Sequence, residues 1–169
     1  MIRARIASLS VDSISNQPVV ILKPLEEEGG VADDRLVPIW IGQAEATAIL
    51  LALQGAEPPR PMTHDLLRNV IEDLGFVVLR VEITRLEEGT FYAALVLRGE
   101  EREVVMDARP SDCIALAVRV NCPLFIAEQV LEEAGVIPEF AEEETSEEEE
   151  LERFRDFLEN VDPSDFMSS

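Results

Sequence analysis

The run EVVMDARPSDCIALAVRV at residues 103–120 changes character halfway along. Its first five residues are strand-like, with β-branched Val104 and Val105 and a polar residue at each end. At Pro110 the pattern switches to helix, with proline in the first turn, where its missing N–H costs nothing. Residues 110–120 then read as helix. The run VPIWIGQAEATAILLALQ at residues 37–54 repeats this strand-into-helix change. Laying Val37, Ile39 and Ile41 over Val104, Met106 and Ala108 brings Glu45 over Asp112, Ala48 over Ala115 and Ile49 over Leu116. Further on, Ile71 to Gly75 fall over Leu131 to Gly135. Several matches in one order point to two degenerate repeats of a strand-strand-helix-helix unit. The expected fold class is α+β, a mixed or antiparallel sheet with helices.

Working outward, residues 2–11, 19–22 and 36–41 read as strands. The helix at 43–54 is apolar on nearly every side and is expected to be buried. Pro58, Pro59 and Pro61 then impose a stiff loop. Thr63 is placed to cap a second helix, in which Leu66, Leu67, Val70, Ile71 and Leu74 recur at helical spacing before Gly75. A hairpin is expected over 76–86 and 90–97, turning at Glu87, Glu88 and Gly89. Residues 124–126 make a short strand or extended link, and 128–134 a last helix ended by Gly135.

The domain is expected to span residues 1–140 and to be followed by an acidic linker and a short helix at 141–169. The tail holds 12 acidic and 2 basic residues, −10 of the chain's net −21, so residues 1–140 carry −11 by themselves. Such a surface repels phosphate backbones at long range, which excludes tight non-specific nucleic-acid binding through a broad basic face. Within the tail, Ser146 and Glu149 stand at capping-box spacing, and Leu151, Phe154, Leu158 and Val161 recur at helical spacing. This amphipathic segment is expected to pack on its own domain or to engage a protein partner. The densest apolar stretch, residues 44–53, is far short of the roughly 20 residues needed to cross a bilayer, so no membrane association and a cytoplasmic location are expected. Cys113 and Cys122 lack metal-site or redox spacing and read as small buried apolar residues.

Candidate chemistry gathers where strands meet helices. Asp107, Arg109, Ser111 and Asp112 form one junction, Gln43 and Glu45 the corresponding one, and Arg60, Thr63, His64 and Asp65 open the helix after the proline loop. Helix starts present unpaired N–H groups, so arginines beside them make phosphate cradles. His64, the only histidine, is the natural general acid or base. Asp107 ends an apolar strand and needs a partner, for which Arg109 is the candidate. Glu45 and Asp112 have a structural alternative: with Gly42 and Arg109 as N-caps, each occupies the third helical position and reaches back to the cap. Asp107, Asp112 and Glu45 could offer oxygen ligands to magnesium or manganese if they converge, although no recognised metal-binding spacing is present and the ligands stay unknown.

With those residues in view, the chain resembles the bifunctional nuclease family. The likeness lies in IGQAEA at 41–46, RPMTHDLL at 60–67 and DARPSD at 107–112, in one order over about residues 38–131. It implies an α+β domain that forms a homodimer or higher homo-oligomer and hydrolyses phosphodiester bonds of DNA and RNA. The expected roles are catalytic for His64, Asp65, Asp107 and Asp112, and substrate-binding for Arg60, Arg109, Ser111 and Glu45. Magnesium or manganese is the expected cofactor. The alternative from another class is a non-enzymatic module that binds a small anion or a protein.

Overall fold

Seven strands and four helices make up the described part of the chain, residues 1–25 and 33–138 of the computed structural model. The expectations for the acidic tail lie outside those residues. The strands are β1 (Ile2–Val11), β2 (Pro18–Pro24), β3 (Val37–Trp40), β4 (Val77–Glu87), β5 (Thr90–Arg98), β6 (Glu103–Ala108) and β7 (Leu124–Ile126). The helices are α1 (Gln43–Leu53), α2 (Thr63–Asp73), α3 (Pro110–Val120) and α4 (Glu128–Ala134). All strands join one mixed sheet in the order β3-β2-β1-β7-β4-β5-β6, and the α+β class stands.

Each half runs three antiparallel strands into a helix, β1-β2-β3-α1 and β4-β5-β6-α3. One more strand therefore precedes the helix than the strand-strand-helix-helix unit contains. The halves meet at β7, which pairs antiparallel with Ile2–Ala4 and parallel with Val81–Ile83. The β4–β5 hairpin turns on Glu88 and Gly89, both at positive φ (49° and 77°). This two-residue geometry matches the right-handed twist of the flanking strands, and glycine enters its second position without steric cost.

The core lies between the sheet and α3. Every residue from Cys113 to Ala117 is buried, and Leu9, Leu22, Ile49, Ile83, Ile126 and Leu131 are fully enclosed. Burial pushes the Cys113 thiol up to about 12, as suits an inert packing residue, whereas Cys122 is only half-buried.

Two local expectations need correction, and the apolar stripe of α2 faces outward. Only Ala46, Ile49 and Leu50 of α1 are buried, so that helix turns one apolar side away from the core. The N-cap of α2 is Met62, one residue before Thr63; Asp65 accepts a hydrogen bond from the Met62 N–H at 2.9 Å and so secures the helix start. Along α2 only His64 and Ile71 are buried, while Leu66, Leu67, Val70 and Leu74 remain exposed.

Candidate active site

The starts of α1, α2 and α3 converge, and each contributes a charged or titratable side chain. His64, at the second position of α2, is buried, and its Nε2 lies 2.9 Å from Asp112 Oδ1. Arg109, the N-cap of α3, donates from Nε to Asp112 Oδ2 and from Nη2 to Glu45 Oε1, both at 2.8 Å. Gly42 and Arg109 are the N-caps of α1 and α3; Asp112 gives its two oxygens to Arg109 and His64, and Glu45 gives Oε1 to Arg109 while its Oε2 lies back against Gly42. Glycine at 42 is what makes room: a Cβ there would run into the Glu45 carboxylate.

The four side chains line a hollow of about 380 Å³, whose other walls include Ala44, Thr47 and Leu51 from the unburied side of α1. An ionised Asp112 can only accept, so Nε2 carries the proton in this bond and the tautomer it favours has its lone pair on Nδ1. No described residue bonds Nδ1, and no fully buried side-chain nitrogen among the described residues lacks a partner, so Nδ1 keeps some accessible surface. Burial acting alone would raise the Asp112 carboxyl, but the hydrogen bonds from Arg109 and His64 outweigh it and hold the group below its ordinary range.

The other expected site residues are placed elsewhere. Asp65 turns away from His64 and accepts from Arg119 Nε at 2.8 Å. Asp107 is exposed on the edge strand β6 and makes no ion pair with Arg109, whose charge is committed to Glu45 and Asp112. It lines a second, larger groove of about 780 Å³ that shares Arg109 and Asp112 with the first, so His64 and Asp107 face adjoining hollows rather than a common one. Ser111 is buried and Arg60 is exposed on the proline loop, and neither borders either hollow.

As placed, the carboxylates do not fit a divalent cation. Arg109 already bridges Glu45 and Asp112, and among the described residues no three His, Cys, Asp or Glu side chains are grouped to hold one.

Arg119, not singled out in the sequence, also borders the hollow. From the last turn of α3 it donates to the Ala48 carbonyl of α1 at 3.1 Å, to the Ala115 carbonyl at 2.8 Å and to Asp65 of α2. The only sequence signal was a cation in a final helical turn, which dipole complementarity explains without any tertiary role.

These ion pairs make an acid-sensitivity prediction. Burial raises the Asp65 carboxyl too, but the bonds from Arg119 and the Met62 N–H prevail, so Asp65 and Asp112 both sit below the ordinary aspartate range. Groups depressed on folding bind protons more readily when unfolded, so their stabilisation is complete above the ordinary carboxylate range and drains away as pH falls below about 4. Urea unfolding midpoints should drop between pH 5 and pH 3, and an Asp65→Asn/Asp112→Asn variant should start lower and fall less. An equal fall in both proteins would remove these two groups from the account.

An α+β domain with a histidine, two carboxylates and an arginine gathered at three helix starts is the class that fold and site define. The family model described as the bifunctional nuclease domain matches residues 24–139, and the chain belongs to that family. An uncharacterised protein of Mycobacterium tuberculosis is 46% identical over 98% of both chains. Bifunctional nuclease 1 of Oryza sativa subsp. indica is 28% identical over 61% of this chain and 32% of its own length, and bifunctional nuclease 1 of Arabidopsis thaliana is 28% identical over 63% and 32%.

Proposed function

We propose that the chain is a nuclease that hydrolyses phosphodiester bonds of DNA and RNA at the His64–Asp112–Arg109–Glu45 hollow. The observation that carries this reading is the pairing of His64 Nε2 with Asp112, which leaves Nδ1 as an open base beside an arginine. His64 takes a proton from the attacking water as its oxygen bonds to phosphorus. The P–O bond to the sugar breaks on the opposite side, the departing oxygen takes its proton from solvent, and the imidazolium returns its own to solvent, so the imidazole ends neutral. Arg109, two-thirds exposed despite its two ion pairs, offers its remaining N–H groups to the phosphate. Asp112 and Glu45 position that guanidinium, and Asp112 also sets the tautomer of His64.

The test is a cleavage assay on single-stranded DNA and RNA with added magnesium, with manganese and with chelator, the parent beside His64→Ala. Cleavage by the parent that is lost in the variant supports the proposal. A parent that cuts neither polymer under any of the three conditions, or a variant as active as the parent, overturns it. The −11 carried by residues 1–140 favours a second reading, a non-enzymatic module for a small anion or a protein. A parent that leaves both polymers intact while binding one of those ligands would select that reading.

A further inference from the structure

The larger groove has walls that a water-facing surface does not explain. On one side stand Leu67, Val70 and Leu74 of the α2 region, with Leu74 70% exposed. On the other stand Val104 and Met106 of β6, an edge strand with Met106 49% exposed. Contiguous exposed apolar surface of this kind marks a contact site, and an uncovered edge strand invites pairing.

We propose that the groove between α2 and β6 seats this chain's own C-terminal segment, residues 151–161. That segment carries Leu151, Phe154, Leu158 and Val161, spaced 3, 4 and 3 residues apart. At 1.5 Å rise per residue such a stripe is about 15 Å long in a helix, enough to run beside the exposed α2 stripe, which takes about 10 Å. The tether is sufficient. The described chain ends at Pro138, just after Val136 bridges Leu36 beside β3, at the far edge of the sheet from β6. Six strand spacings of about 4.8 Å put the groove roughly 29 Å away. The 13 residues from Pro138 to Leu151 span up to about 43 Å when extended.

Tethering also supplies a local concentration in the millimolar range, so a modest apolar contact is enough, whereas a free partner must bind far more tightly. The family model stops at residue 139, yet the 46%-identical mycobacterial relative is matched over 98% of this chain, and so through nearly all of the tail. Because domain and tail are both acidic, docking rests on apolar burial and strengthens as salt screens their repulsion.

Disulfide trapping in the full chain tests this. Leu158→Cys is combined either with Met106→Cys, which faces the groove, or with Val105→Cys, its neighbour on the opposite face of the same strand. A merely tethered tail reaches both faces alike. Mild oxidation should close the Met106 pair within one molecule at least about 10-fold faster than the Val105 pair, with a larger ratio in high salt, and at a rate independent of protein concentration. Equal rates, no closure, or cross-linked dimers whose yield rises with concentration would overturn the proposal, the last by giving the groove to a second copy.

Discussion

His64→Ala is expected to lower cleavage of DNA and RNA by about 10²- to 10⁴-fold, the usual contribution of a positioned general acid or base. The loss should appear in kcat, since the imidazole acts on the proton in flight, with KM little changed because Arg109 still meets the phosphate. His64 is buried, so circular dichroism and thermal unfolding must first show the variant folded. Asp112→Asn is the sharper companion. It keeps the side-chain shape but exchanges an obligate acceptor for an amide that can turn its NH₂ toward Nε2, favouring the tautomer in which Nδ1 holds the proton. A fall of at least about 10-fold is expected there, and parental activity in Asp112→Asn would leave the carboxylate no part in orienting the base.

Arg119→Leu should be the most destabilising single change at the edge of the site. The Arg119 side chain is only 6% exposed and ties α1, α2 and α3 together through the Ala48 carbonyl, Asp65 and its own helix. Removing it strands the Asp65 carboxylate, 17% exposed, without its counter-charge. Breaking a buried ion pair from one side costs about 3–5 kcal/mol, and the residual exposure of Asp65 points to the low end, about 3. Against a total stability of about 5–15 kcal/mol, that is a large shift in the urea midpoint. Adding Asp65→Asn should recover part of the loss, because the stranded charge is then gone. A cost below about 1 kcal/mol, the range of solvent-exposed pairs, would show that the clip is ornamental.

Strands and helices were legible because their signals are local: Pro110 opening α3, the turn at Glu88 and Gly89, and the β-branched Val104 and Val105 of β6. The site was legible in its members more than in its pairings. Asp107 and Arg109 are two apart, and proximity along the chain suggested a pair. However, Arg109 is already the N-cap of α3 and meets Glu45, 64 positions earlier, a partner that only the sheet topology brings near. His64 and Asp65 diverge for a reason the sequence does contain, since successive helical residues lie about 100° apart. One faces Asp112 and the other Arg119. The α2 stripe announced an amphipathic helix correctly, but periodicity does not reveal whether an apolar face meets the core or a separate segment.

The hydrogen-bonding state of one ring decides the rest. His64 is the only histidine in the chain, so its imidazole nitrogens can be read without ambiguity by ¹⁵N NMR at a pH where the ring is neutral. The proton is expected on Nε2, donated to Asp112, with Nδ1 bare, and Asp112→Asn should shift that preference. A proton found on Nδ1 in the parent, or rapid exchange between the two tautomers, would contradict the account.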